Sequence, residues 1–150
     1  MPFRNFVYAF AVIVAFSVVG LSQATKRTAS VPDSGSYRGS AAYAEVLLRK
    51  TELQADLEAL SADYTDTNPK LIDTRFEIAV LEKEIARLAA VPTADSQKLT
   101  LGLGKLMVKK AELETELNRL NRGFSKEHPE VKRQTKRVEL FDAAINDILR

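Results

Sequence analysis

Phe124-Ser125-Lys126-Glu127-His128-Pro129-Glu130-Val131 breaks a long run of helix-forming text, and the fold follows from how that break is read. The same break occurs 60 positions earlier, as Tyr64-Thr65-Asp66-Thr67-Asn68-Pro69-Lys70-Leu71. Apolar residues before and after each break are spaced for helices. Ahead of the first, Val46, Lys50, Leu53, Leu57, Leu60 and Tyr64 alternate steps of four and three, a coiled-coil seam with one lysine in it. Ahead of the second, Leu106, Lys110, Leu113, Leu117, Leu120 and Phe124 repeat that seam, lysine included. A lysine at a seam position costs stability but can fix register and oligomeric state, so its recurrence points to duplication of one unit.

After each break the spacing restarts. Leu71, Thr74, Ile78, Leu81, Ile85 and Leu88 are matched by Val131, Gln134, Val138, Phe141, Ile145 and Ile148. Each unit therefore predicts two amphipathic helices of about six turns, roughly 30 Å long at 1.5 Å per residue. The competing reading of the break is a proline kink in one continuous helix. Four or five polar residues favour a reversal, being a usual length for an antiparallel connection. Thr65 to Asn68 compete for backbone hydrogen bonds, Pro69 suits the first position of a new helix, and Asn68 before it can cap. In the second unit Gly123 offers a stop, His128 holds the pre-proline place, and Glu130 complements the new N-terminus. Tyr64, Asn68, Pro69, Phe124, His128 and Pro129 are thus read as turn residues. The expected fold is all-α: two tandem antiparallel helical hairpins of coiled-coil type.

The seams leave Leu47, Leu48, Ile72, Val80, Met107, Val108 and Leu140 unaccounted for, and a lone hairpin would expose them. Either the hairpins close into a four-helix bundle or the chain self-associates. Hairpin 1 is expected over 41–90, a connection over 91–96 with Thr93 as a cap, and hairpin 2 over 97–150. Gly102 and Gly104 cost about 1 kcal/mol each in a helix interior, which marks this stretch as the expected hinge.

The N-terminal segment has a different character. Arg4 precedes an apolar run from Phe6 to Gly20, interrupted by Ser17, and Leu21-Ser22-Gln23-Ala24 supplies small residues three and one before a cut. That layout predicts a signal peptide over 1–24 with cleavage after Ala24, and a periplasmic or secreted protein. The alternative is an uncleaved inner-membrane anchor facing the periplasm, since about 17 apolar residues can just span a bilayer. Membrane contact is then expected only through that segment. Residues 25–40, rich in Ser, Thr, Gly and Pro, read as a flexible linker.

Composition narrows the chemistry. With no cysteine, disulfides, cysteine-based zinc sites and thiol catalysis are excluded, and one histidine cannot build a multi-histidine metal site. A net charge of +2 does not argue for nucleic acid. His128 has neither the orienting partner nor the pocket a catalytic base needs. Glu82, Glu84, Glu112, Glu114 and Glu116 read as members of salt-bridged helix faces. No catalytic residue, cofactor or metal is expected. Arg122, Lys126, Lys132, Arg133, Lys136 and Arg137 make the second turn and its helix basic, a candidate surface for a polyanionic saccharide or lipid head group, whereas the first turn is acidic with Asp63, Asp66 and Asp73.

An aromatic residue, three more, His-Pro or Asn-Pro, one residue, an aliphatic, then Ile and Leu at heptad spacing resembles the extracytoplasmic coiled-coil segment of polysaccharide co-polymerases, the chain-length determinants of exopolysaccharide and O-antigen export. The match lies in Tyr64, Pro69, Leu71, Ile78 and Leu81, and more fully in Phe124, His128, Pro129, Val131 and Val138. The resemblance implies a periplasmic hairpin in an envelope-polysaccharide setting. It covers the coiled-coil module alone, without the second apolar span or the mixed α/β base of those proteins, so a chain-length-setting role does not carry over. The expected function is a non-enzymatic envelope scaffold or adaptor, pairing with itself or with another helical envelope protein. The alternative is a periplasmic holdase-type chaperone.

Overall fold

A computed structural model describes residues 37–150, and the expected signal segment and most of the linker lie outside that range. The described residues are all-α. They form α1 (Ala41–Asp63), α2 (Pro69–Ala89), α3 (Leu101–Gly123) and α4 (Pro129–Leu149), with 3-10 turns at Tyr37–Gly39 and Thr93–Lys98. Adding 60 to the ends of α1 and α2 gives the ends of α3 and α4, so the duplication read from the seams extends to every α-helix boundary.

Caps repeat at the same interval. Ser40 Oγ accepts the Tyr43 N–H at 3.2 Å to start α1, and Thr100 Oγ1 accepts the Leu103 N–H at 3.3 Å to start α3. The cap expected at Thr93 is therefore at Thr100, because the 91–96 connection continues as a 3-10 turn to Lys98 before α3 begins. The linker expected over 25–40 likewise gives way at Tyr37, whose carbonyl accepts the Ser40 hydroxyl at 2.6 Å. Tyr37 also packs edge-on to Tyr43, with centroids 5.2 Å apart. Those aromatic contacts anchor the start of the fold.

Each helix pair reverses as expected, α1 against α2 and α3 against α4. The hairpins also pack on one another. The Ala42 N–H donates to the Leu99 carbonyl at 3.3 Å, joining the beginnings of the two units, and Arg122 at the end of α3 bonds Asp73 at the start of α2. Both turns thus lie at one end of the molecule, with α1 and α3 parallel. In a square up-down bundle those two would be diagonal; here they touch, α3 also meets α2, and α4 packs on α3.

The crossing of α1 and α3 is the expected hinge, and it is instead tightly packed. A Cβ on Gly104 would lie 2.8 Å from the Ala42 carbonyl oxygen and 2.9 Å from the Glu45 Cβ, closer than side chains sit. Gly104 is buried there for close approach, and the helix-propensity cost is accepted in return for packing.

The core gathers at the end away from the turns. Ala42, Val46, Leu81, Leu88, Leu103, Met107 and Ile145 are fully buried, and burying a residue of leucine size contributes about 1.5–3 kcal/mol. Toward the turns the seams of α1 and α3 open, with Leu57, Leu60, Leu117 and Leu120 half-buried, while Leu71 and Val131 on α2 and α4 stay buried. Of the residues off the seam, Val80 and Met107 join the core, whereas Leu47, Leu48, Ile72 and Leu140 remain exposed. No helix among the described residues is long and apolar enough to cross a membrane.

Candidate functional site

The two turns have one construction. Tyr64 and Phe124 end their helices in extended backbone, at φ −127° and −133°. The Asn68 N–H then donates to the Thr65 carbonyl at 2.9 Å, and His128 to Ser125 at 3.1 Å. Asn68 Oδ1 accepts the Lys70 N–H at 2.9 Å, while His128 Nδ1 accepts the Glu130 N–H at 3.2 Å. His128 is a helix cap, stacked on Phe124 with ring centroids 4.3 Å apart. Gly123 is not the stop expected of it: it is the last residue of α3, without the positive φ of a glycine cap, and Asp63 holds the same place in α1. The extended aromatic residue ends each helix.

Lys110 occupies its seam position in the least exposed charged cluster among the described residues. Its Nζ lies 2.7 Å from Glu84 on α2, 2.9 Å from Glu114 on α3 and 3.3 Å from Asp142 on α4. Arg87 on α2 closes the group, 3.1 Å from Asp142 and 3.6 Å from Glu84, and it also bonds Asn146. Glu84 Oε2 is buried and accepts no hydrogen bond, so the Arg87 charge compensates it. Burial lowers the Lys110 pKa, but hydrogen bonds to Glu84 and Glu114 and the charges of both outweigh that and hold it above the ordinary lysine value. Burial likewise raises that of Asp142, and the Arg87 hydrogen bond and the Lys110 charge more than reverse it, leaving it below the ordinary carboxylate value. Lys50, the first-unit counterpart of Lys110, sits 2.9 Å from Glu82, the counterpart of Asp142. The ion pair is duplicated with the helices.

The five helix carboxylates singled out in the sequence have cationic partners: Glu82 with Lys50, Glu84 and Glu114 with Lys110, Glu112 with Lys109, and Glu116 with Arg119. Among the described residues no group of three or more potential ligands could hold a metal ion. The six basic residues are not one surface. Arg122 is taken up by Asp73 across the hairpin interface. Lys126, Lys132 and Lys136 line a shallow cleft with Val131 and Thr135 on one side of hairpin 2. Arg133 and Arg137 face an open groove of about 510 Å³ on the other side, lined also by Glu116, Arg119 and Leu120. There the Gln134 side chain, itself donating to the Leu113 carbonyl at 2.8 Å, accepts from Arg137 at 3.0 Å.

Two features escaped the sequence reading. Ser40 and Thr100, 60 apart, were available as paired caps had the repeat been extended upstream of the seams. Glu84 and Arg87 were not: their partners lie on other helices, and no spacing along one helix announces them. A scan against protein-family models and searches of the curated proteins and of the solved structures find no match to this chain.

Proposed function

We propose that this chain is a non-enzymatic helical scaffold or adaptor of the bacterial cell envelope, acting outside the cytoplasm by pairing its helical faces with a second copy or with another helical protein. The observation that carries this reading is where the uncovered apolar side chains lie. Leu47, Leu48 and Leu140 are spread along outer helix faces, 38%, 58% and 60% exposed, which suits helix-on-helix docking. The paired helix carboxylates support a structural role for those residues. Signal-like text over Met1–Ala24 supports export, and the resemblance to polysaccharide co-polymerases supports a polysaccharide-export setting. Lys126, Lys132 and Lys136 offer a polyanionic saccharide a secondary contact.

A holdase-type chaperone is the second reading, favoured by Tyr64 and Phe124, which present half-exposed rings at both turns. Aggregation of an unfolded outer-membrane protein, followed by light scattering, separates the two. The scaffold leaves aggregation unchanged at equimolar chain; suppression would overturn the scaffold reading. Mass spectrometry of the exported protein tests the location, with a mature chain beginning at Thr25 expected. An unprocessed chain in the membrane fraction would support the anchored alternative, and a chain confined to the cytoplasm would overturn export.

A further inference from the structure

The duplication creates surfaces that have partners in one unit and none in the other. Within the molecule, α3 lies in a groove between α1 and α2. It inserts Leu103, Gly104, Met107 and Ala111, all buried, against receiving residues that include Ala42 and Val80. Subtracting 60 from the inserted residues gives Tyr43, Ala44, Leu47 and Thr51, an outer strip of α1. Adding 60 to the receiving residues gives Gly102 on α3 and Leu140 on α4. The centres of both copies of the interface are uncovered, Leu47 being 38% exposed where Met107 is 0% and Leu140 60% exposed where Val80 is 1%, while Tyr43 at the edge of the strip is half-covered by Tyr37.

The residues of closest approach favour a second copy of the chain as the occupant. The internal crossing needs one glycine, Gly104, over the Ala42 backbone. At the outer surfaces the same pair recurs with roles exchanged, Ala44 on the inserting helix and Gly102 on the receiving one, and only Thr100 Oγ1, at 3.7 Å, comes within 4 Å of the place a Gly102 Cβ would take.

We infer that the chain stacks head to tail, with the Tyr43–Ala44–Leu47–Thr51 strip of one copy seated in the α3/α4 groove of the next, reproducing between molecules the interface that joins the hairpins within one. Such a contact uses different patches on the two partners, so it leaves a free strip at one end and a free groove at the other and extends to a ring or an open array. The inference rests on the scaffold reading and names its partner.

Sedimentation velocity on the purified chain and two surface variants tests it. Leu47→Lys with Leu48→Lys blocks the strip; Gly102→Leu fills the groove at an exposed site and, by replacing a helical glycine, does not weaken the fold. Wild type is expected to grow past the dimer with concentration. Each variant alone is expected to stay monomeric, its association weakened at least about tenfold as for loss of a central interface anchor. An equimolar mixture of the two is expected to form a dimer and stop, because one intact strip meets one intact groove. A monomeric wild type overturns the inference, as does assembly of both variants like wild type. Loss of assembly in the strip variant alone also overturns it, since that would mean α1 pairs with α1. Client protection by a chain that stacks would overturn the scaffold reading alone, and a monomer without client protection would overturn the stacking alone.

Discussion

Lys110 shows what a seam lysine does here, holding carboxylates from three helices at one point. Removing one member of a largely buried pair strands the other, so Lys110→Met should destabilise the fold by about 3 kcal/mol in urea unfolding, with Lys110→Met/Glu84→Met recovering much of the loss. The group also sets a pH response. Asp142 has a folded pKa below its unfolded value, so its contribution is present above the ordinary aspartate value of about 3.9 and is lost as pH falls through the folded value. Lys110 has a raised folded pKa, so its contribution is complete below about 10.4 and disappears only as pH rises through the folded value. Stability should therefore be flat with respect to this cluster from about pH 6 to 9 and fall in acid, and Asp142→Asn should flatten the acid limb of a pH series of urea midpoints. Gly104 offers a test of packing against propensity. Ala is the better helix former, yet Gly104→Ala should lower the melting temperature because its Cβ meets the Ala42 backbone at 2.8 Å.

At the scale of the element, the turns were legible in the sequence because their information is local. Pro69 and Pro129 begin α2 and α4, with capping residues directly before them, and neither reversal depends on a distant contact. His128 drew attention as the one imidazole, and its Asn68 counterpart explains it: two residue types accept the same backbone N–H at the same place. His128→Asn should leave the unfolding midpoint within about 0.5 kcal/mol of wild type, whereas His128→Ala should cost about 1 kcal/mol, read by chemical denaturation. The hinge expected at Gly102 and Gly104 failed for a physical reason. Propensity is summed along one helix, and the close crossing that needs Gly104 belongs to two.

At the scale of the molecule, the sequence carried the hairpins but left open how they meet, because the off-seam residues read alike until their partners are known. Val80 and Leu140 are equivalent in the repeat, yet one is core and the other surface, a difference made by α3 covering the first unit. The basic residues around the second turn divided for a related reason, Arg122 having an acidic partner in the other hairpin. The two hairpins share one core. Thermal unfolding followed by circular dichroism tests it on wild type, on Leu81→Ala in the first hairpin and on Leu103→Ala in the second. Both side chains are fully buried, and each substitution should cost about 2–5 kcal/mol. A shared core predicts one cooperative transition in all three proteins, moved to lower temperature by either substitution. Two transitions, each moved by only one of the substitutions, would contradict it.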